Sequence, residues 1–333
     1  MAKTATVGKK NTNLGKARTA KQDEFYTQLS DIENELKHYK EHFKGKVVYC
    51  NCDDPMKSNF FRYFMLNFNK LGLKKLITTC YKSQDDDAPS QNNSKQAIYL
   101  EYAGNKTANF DLKTDITRYN LKGDGDFRSE ECINLLKQAD IVITNPPFSL
   151  FREYVAQLIE HNKKFLIVGS LNAITYKEVF KLIKENKLWL GYGNGAMTFK
   201  VPDSYTGTCE GTPGNKKAKL GNICWYTNLD INKRNEDIIL YKAYSPKEYP
   251  TYDNYKAIEV SKVKDIPMDY YNELGVPITF LQNYNPAQFE IIWTTDRGGD
   301  GNLDHLKKIY TRYDAPVVGG EGLYKRIIIK RVK

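Results

Sequence analysis

The sequence predicts an α/β fold with a doubly wound, mostly parallel sheet, followed by a smaller α+β region. Three observations carry this. Short apolar runs alternate with stretches of helical spacing between residues 46 and 187, the pattern of a parallel sheet covered on both faces. Three strand ends are polar, as at the carboxyl edge of such a sheet, where ligands bind. From about residue 231 the composition shifts to tyrosine, proline and lysine mixed with short apolar pieces, which separates residues 22–230 from residues 231–333. A chain of 333 residues, 41% hydrophobic and 13% aromatic, is long enough for one large domain or two moderate ones.

The elements follow in order. Residues 1–21 hold Lys3, Lys9, Lys10, Lys16, Arg18 and Lys21 and no acid, and so supply most of the net charge of +10. Such an arm cannot bury a core and is expected to be flexible, as a solubilising tail or as an arm that tracks phosphates. "DEFYTQLSDIENELKHYKEHF" (23–43) reads as a helix through Phe25, Leu29, Ile32 and Leu36, ended by Gly45. "KVVYCNCDDP" (46–55) is a strand running into a polar turn, and "SNFFRYFMLNFNKLG" an aromatic-rich helix closed by Gly72. "KKLITTCY" (74–81) is the next strand and 83–96 a polar surface loop; "AIYLEYAG" and "NFDLKTDI" read as an added strand pair. "GDGDF" (123–127) precedes the helix "SEECINLLKQA", and the strand "DIVIT" then runs into Asn145-Pro146-Pro147-Phe148. A helix, "LFREYVAQLIEHN", a strand, "KFLIVGSL", and a helix, "TYKEVFKLIKENK", follow. "LWLGYG", "AMTFKVP" and "NICWYTNL" read as later strands, with a Gly- and Lys-bearing loop (206–221) between the last two.

The totals exclude several classes. No apolar run approaches the ~20 residues that span a bilayer, and the polar, basic N-terminus is no secretory signal. A cytoplasmic protein without a membrane partner is expected. Six cysteines at 50, 52, 80, 132, 209 and 224 fit a reducing compartment, and the Cys50-x-Cys52 pair lacks a second pair at zinc spacing. His38-Tyr39-Lys40-Glu41-His42 fits a zinc-peptidase pattern, but it lies among Lys37, Lys40 and Lys44 without a clear third ligand, so no metal is expected.

The candidate site lies at the strand ends Asp53-Asp54-Pro55, Asp126-Phe127 and Asn145 to Phe148. Two prolines stop a strand sharply and hold its end rigid. An amide oxygen and a neighbouring carbonyl can accept both N–H groups of an exocyclic base amine. That favours a pyramidal nitrogen with its lone pair free, and Phe148 can stack on the base. Orientation and electrostatics then supply most of the rate, and the base must leave the duplex. Methylation at carbon 5 of cytosine needs a cysteine nucleophile, usually after a proline; no cysteine here follows one.

"NPPFSLFREYVAQL", with "DEFYTQ", "YCNCDDP…SNFFRYF" and "GDGDFRSEE" in that order upstream, resembles the EcoRI-type adenine-N6 DNA methyltransferases from about residue 20 onward. The resemblance implies a Rossmann-like, S-adenosylmethionine-dependent catalytic domain (22–230) and a C-terminal target-recognition region (231–333). It implies transfer of a methyl group to a flipped adenine in double-stranded DNA, alone or beside a restriction endonuclease of matching specificity; a monomer is expected, because one adenine is modified per binding event. Asp23, Phe25 and Tyr26 match the segment over the methionine end of the cofactor, and Asp53 and Asp54 the first-strand turn. Asp126 and Phe127 match the pair at its adenine, and Asn145, Pro146, Pro147 and Phe148 the catalytic loop. Trp225 and Tyr226 match the place of an aromatic that holds the flipped base. The first strand lacks a G-x-G turn, and the second ends in Cys80 and Tyr81 without an acid for the ribose hydroxyls, where Glu101 or Asp54 is the substitute.

Other readings stand beside these. Asn145 to Phe148 also suit a strand-terminating turn, Asp53 and Asp54 a helix cap, and Phe25 and Tyr26 a core stripe. Asp124 competes with Asp126. Alternation places only one of Trp225 and Tyr226 away from the core. Lys216, Lys217 and Arg297 suit DNA contacts or ordinary surface loops. RNA-base or protein-glutamine methylases share the strand-end chemistry, and a non-catalytic DNA-binding protein on the same scaffold is the remaining alternative.

Overall fold

The computed structural model describes residues 25–52, 58–79, 97–104, 115–201, 203, 205–295 and 315–332. The basic arm, Asp23, Asp53, Asp54, Cys80, Tyr81, the 83–96 loop and Arg297 lie outside the described residues. The chain divides into two compact units, the described residues of Met1–Gly169 with Gly195–Ile223, and those of Ser170–Asn194 with Cys224–Lys333.

In chain order the first unit holds β1 (Tyr26–Thr27), α1 (Leu29–Leu36), β2 (Val47–Cys50), α2 (Asn59–Leu66), α3 (Phe68–Leu71) and β3 (Lys75–Thr79). Then come β4 (Ile98–Tyr102), β5 (Ile116–Asn120), α4 (Glu130–Gln138), β6 (Ile141–Thr144), α5 (Phe151–Glu160) and β7 (Lys164–Ser170). α6 (Lys177–Lys184) follows in the second unit, and β8 (Trp189–Lys200) and β9 (Lys217–Thr227) run through both. The nine strands form one sheet in the order β1-β8-β9-β7-β6-β2-β3-β4-β5. Its centre is parallel, β7 with β6, β6 with β2, and β2 with β3, while β3–β4, β4–β5 and β1–β8 are antiparallel. Every residue of β2 and β6 is buried, which explains their unbroken apolar runs: side chains on both faces are covered.

Local chemistry sets the ends of the elements. The Ser58 hydroxyl accepts the amides of Phe60 and Phe61 at 3.1 and 3.3 Å and so opens α2. Gly72, at φ 64°, closes α3 in the left-handed conformation that glycine adopts without strain. Ser129 caps α4 through the Cys132 amide.

Three expectations are corrected. The single helix over 23–43 is instead β1, α1 and a 3-10 turn at Lys40–His42. Tyr26 and Thr27 pair with Lys200 and Phe199, so sheet bonding overrides the helical spacing of Phe25 and Leu29. Most of the second added strand, "NFDLKTDI", lies outside the described residues; the described strand paired to β4 is Ile116–Asn120. "LWLGYG" and "AMTFKVP" are one twelve-residue strand, β8, and β9 begins at Lys217, inside the expected 206–221 loop.

The second unit carries a four-stranded sheet in the order β10 (Ile258–Glu259), β11 (Leu274–Pro277), β15 (Arg326–Arg331), β12 (Phe289–Thr294), and the hairpin of β13 (Val317–Val318) and β14 (Glu321–Gly322). Among the described residues after 231 the helical elements are short 3-10 turns. Tyr252, Tyr255, Trp293 and Ile328 pack its core. Buried Glu259 receives Arg326 through three guanidinium contacts of 2.7–3.1 Å and the Tyr252 hydroxyl. Gly275 leaves the room for this: a Cβ there stands 2.1 Å from the Tyr252 hydroxyl oxygen.

Candidate active site

From β2 the chain winds outward to β3 on one side, and from β6 to β7 on the other. The order therefore reverses between β2 and β6, the place where an open α/β sheet opens a crevice at its carboxyl edge. The residues leaving those two strands are Asn51–Cys52 and Asn145–Phe148.

The two turns are tied together. Buried Thr144 donates its hydroxyl to the Asn51 carbonyl, and buried Tyr154 of α5 donates its hydroxyl to Asn51 Oδ1. Cys52 follows at φ 62°, a strained conformation for a residue with a side chain. α5 starts directly after the proline turn, so one helix carries the side chain that fixes the other strand's exit.

Asn145 is 6% exposed, and its Nδ2 donates to the Phe25 carbonyl at 2.5 Å. That bond fixes which end of the amide is the acceptor. Pro146 is buried and Pro147 half-buried. Half-buried Phe148 lies 5.8 Å from the Phe25 ring and 6.5 Å from Phe199, and Phe25 also meets Phe199 and Tyr205 at 5.8 Å. Phe25 is thus neither a helical core residue nor remote from the proline turn: β1 holds it there through its pairing to β8, and Asn59 Nδ2 secures the Thr27 carbonyl at 2.8 Å.

The "GDGDF" turn is held from the same helix. Asp124 Oδ1 accepts the Asp126 amide at 3.0 Å, so Asp124 shapes the turn. The Asp126 carboxylate takes Arg128 Nε at 2.9 Å and Nη2 at 2.7 Å, and the hydrogen bonds from Arg128 hold it below the usual carboxylate range. Arg128 continues to Glu153 of α5 at 3.1 Å. Phe127 is 6% exposed, edge-on to Tyr154 at 5.1 Å, and its carbonyl accepts Gln157 Nε2 at 3.0 Å. Gln157 Oε1 is buried without a hydrogen-bond partner among the described residues.

Asn145, Phe148, Phe25, Asp126 and Phe127 all fall in the first unit. Tyr26 is half-buried in β1. Trp225 and Tyr226 are both fully buried, where alternation had left one to face outward; β9 is covered on both sides there, and the Tyr226 hydroxyl donates to the Ser170 carbonyl at 2.9 Å. Glu101 is paired with Lys75 Nζ at 2.9 Å; because β4 runs antiparallel, this lies at the amino end of β3, away from the carboxyl edge. Lys216 Nζ donates to the Asp203 carbonyl, while Lys217 is exposed. Among the described residues no three His, Cys, Asp or Glu side chains are grouped to hold a metal ion, and no helix is long and apolar enough to cross a membrane. Sequence reading missed Asn51, Tyr154, Gln157 and Arg128. A tyrosine and a glutamine three residues apart, on one face of the helix after the proline turn, were the available signal.

A model of the family described as adenine-specific methyltransferase EcoRI matches residues 13–332. The Type II methyltransferase M.EcoRI of Escherichia coli is 54% identical over 302 residues, covering 88% of this chain and 90% of the relative. The Type II methyltransferases M.MgeORF184P of Mycoplasma genitalium and M.MpnI of Mycoplasma pneumoniae are each 40% identical, over 96% of this chain and 98% of theirs. No solved structure matches the chain. The chain belongs to the EcoRI family of adenine-specific methyltransferases.

Proposed function

We propose that the chain methylates the exocyclic amine of an adenine turned out of duplex DNA, with S-adenosylmethionine as donor. The observation that carries this is the clamped amide of Asn145. With Nδ2 committed to the Phe25 carbonyl, Oδ1 is the end that accepts from a base amine, next to the carbonyl of Pro146. The two acceptors draw the nitrogen toward a tetrahedral shape, and a rigid proline turn keeps them in place without reorganisation. Phe148 holds the base flat, backed by Phe25 and Phe199. The amine's proton leaves to solvent once the new bond has formed.

The donor set fits a nucleoside cofactor. Gln157 Oε1, buried beside the Phe127 carbonyl contact, is an acceptor suited to an N–H group such as the adenine amine, and Asp126 remains ionised. Asp126 and Phe127 would hold the adenine, Asp53 and Asp54 the ribose and the methionine beside it, and Asp23, Phe25 and Tyr26 the amino-acid end. When bound, S-adenosylmethionine supplies an electrophilic methyl carbon. Residues 22–230 form the Rossmann-like catalytic domain and 231–333 the target-recognition region, in which Arg297 contacts DNA; Lys217 does so from the catalytic domain. The enzyme acts as a cytoplasmic monomer, beside a restriction endonuclease of matching specificity or alone.

The variant Asn145→Ala separates this from a DNA-binding role. Duplex affinity is expected to persist while methyl transfer collapses by at least ~10²-fold, the scale of one lost preorganised polar group. Transfer within threefold of the parent protein removes Asn145 from the chemistry.

A further inference from the structure

The strands β8 and β9 carry a lysine face of which only Lys217 has been used above. The Val201 amide donates to the Lys216 carbonyl at 3.0 Å, which sets the antiparallel register and places Lys200 opposite Lys217 and Thr198 opposite Lys219. The burial pattern agrees: Met197, Phe199, Ala218 and Leu220 face inward, while Lys200, Lys217 and Lys219 are exposed. Like charges directly opposite on a ladder repel, and no acid lies within ion-pair distance of these three lysines among the described residues. Two acids border the face. Glu210 pairs with Lys217 through backbone bonds of 2.7 and 2.8 Å, and Asp31 accepts the Thr198 amide on the other edge. The surplus stays positive. On this face the segment Thr208–Gly211 borders a half-open pocket of about 400 Å³ lined by Thr198, Thr208, Cys209, Lys217 and Lys219, with the Glu210 carboxylate as its one acid. Gly195 and Gly221, beyond the Thr198–Lys219 pair on the two strands, have open space where a side chain would be.

We propose that this ribbon is a phosphate clamp, in which Lys200, Lys217 and Lys219, with the Thr198 hydroxyl, grip the phosphodiester backbone of the duplex beside the extruded base. An anion between the lysines turns a repulsive pair into a shared ligand set. The place fits the reaction: Phe199, one residue before Lys200, packs against Phe148 and Phe25. A strand anchored on the outer face thereby steadies the ring that supports the base. The inference rests on the DNA reading above.

The test is the salt dependence of duplex binding by the full chain. Each lost phosphate contact lowers the slope of log K against log salt by about 0.9. The triple variant Lys200→Gln, Lys217→Gln, Lys219→Gln is expected to reduce the slope by two to three, with the affinity for S-adenosylmethionine unchanged and melting temperature equal or higher because repulsion is relieved. Lys70→Gln, at an exposed position of α3, controls for a general loss of charge and leaves the slope as it was. Inorganic phosphate at constant ionic strength separates the sources: failure to compete with duplex supports a backbone clamp, whereas full competition at millimolar concentration makes the cavity a free-phosphate site and overturns the proposal. An unchanged slope in the triple variant also overturns it, even if the protein still methylates DNA. If the parent protein methylates no DNA at all, the functional reading fails instead.

Discussion

Replacing Tyr154 by phenylalanine removes one hydroxyl and keeps the ring that packs edge-on to Phe127. The partner, Asn51, is 3% exposed, so its Oδ1 cannot turn to water when the hydroxyl goes. An acceptor left unsatisfied in such a place costs about 1–3 kcal/mol. That cost falls on the turn where β2 leaves the sheet, beside residues assigned to the cofactor. If binding must restore the turn, ~1.4 kcal/mol corresponds to tenfold in affinity, so the dissociation constant for S-adenosylmethionine rises roughly five- to a hundredfold. Melting temperature falls by several degrees, at ~2–4 °C per kcal/mol. Calorimetric titration of the cofactor and a thermal melt read both. Asn51→Ala completes a double-mutant cycle. Residues sharing one buried hydrogen bond are non-additive by 0.5 kcal/mol or more, whereas independent sites add within ~0.3–0.5 kcal/mol. An additive cycle, with cofactor affinity unaltered in Tyr154→Phe, refutes the idea that α5 fixes the cofactor turn.

Gly275→Ala drives a methyl group into the Tyr252 hydroxyl and so breaks the Glu259–Tyr252–Arg326 cluster. Overpacking of this kind costs about 1–3 kcal/mol, seen as a lower melting temperature, and adding Tyr252→Phe leaves most of that cost in place, because two ring carbons also stand 2.7 Å from the added Cβ. Arg128→Ala removes the partner that depresses the Asp126 pKa. A carboxylate with a lowered folded pKa contributes stability that is present above its unfolded value, near ~3.9, and is lost as pH falls toward the folded one. The variant therefore unfolds at a higher pH on acidification; coincident acid transitions count against the pairing. Phe25→Ala keeps the carbonyl that orients Asn145 but takes away the ring behind Phe148. Turnover at saturating cofactor should fall more than tenfold, and a change confined to the cofactor KM assigns Phe25 to the cofactor alone.

Much of the first unit was legible because its signals are local. β2, β6 and β7 are unbroken apolar runs, the helices keep helical spacing, and Pro146-Pro147 mark a rigid strand exit. The proline turn after β6 was readable for the same reason. What escaped depends on distant pairing. β1 is two residues long and exists only because β8 offers an edge to Tyr26 and Thr27. β8 passes through Gly191, Gly193 and Gly195, the last at φ 111°, and glycines at that density read as breaks when the partner strands are unknown. Asn51 and Tyr154 stand 103 residues apart, and no periodicity links a buried amide after one strand to a tyrosine on a later helix. The burial of both Trp225 and Tyr226 likewise required knowing that β9 is covered on two faces, not one.

The central claim is that a fixed amide and a rigid proline turn present an adenine amine for methylation. Incubating the full chain with isotopically labelled S-adenosylmethionine and unmodified genomic DNA, then mapping the labelled bases, tests it most directly. The account predicts label solely as N6-methyladenine, at one position of a recurring duplex sequence, and loss of that label in Asn145→Ala. Label on cytosine, RNA or protein, or an undiminished signal in the variant, contradicts it.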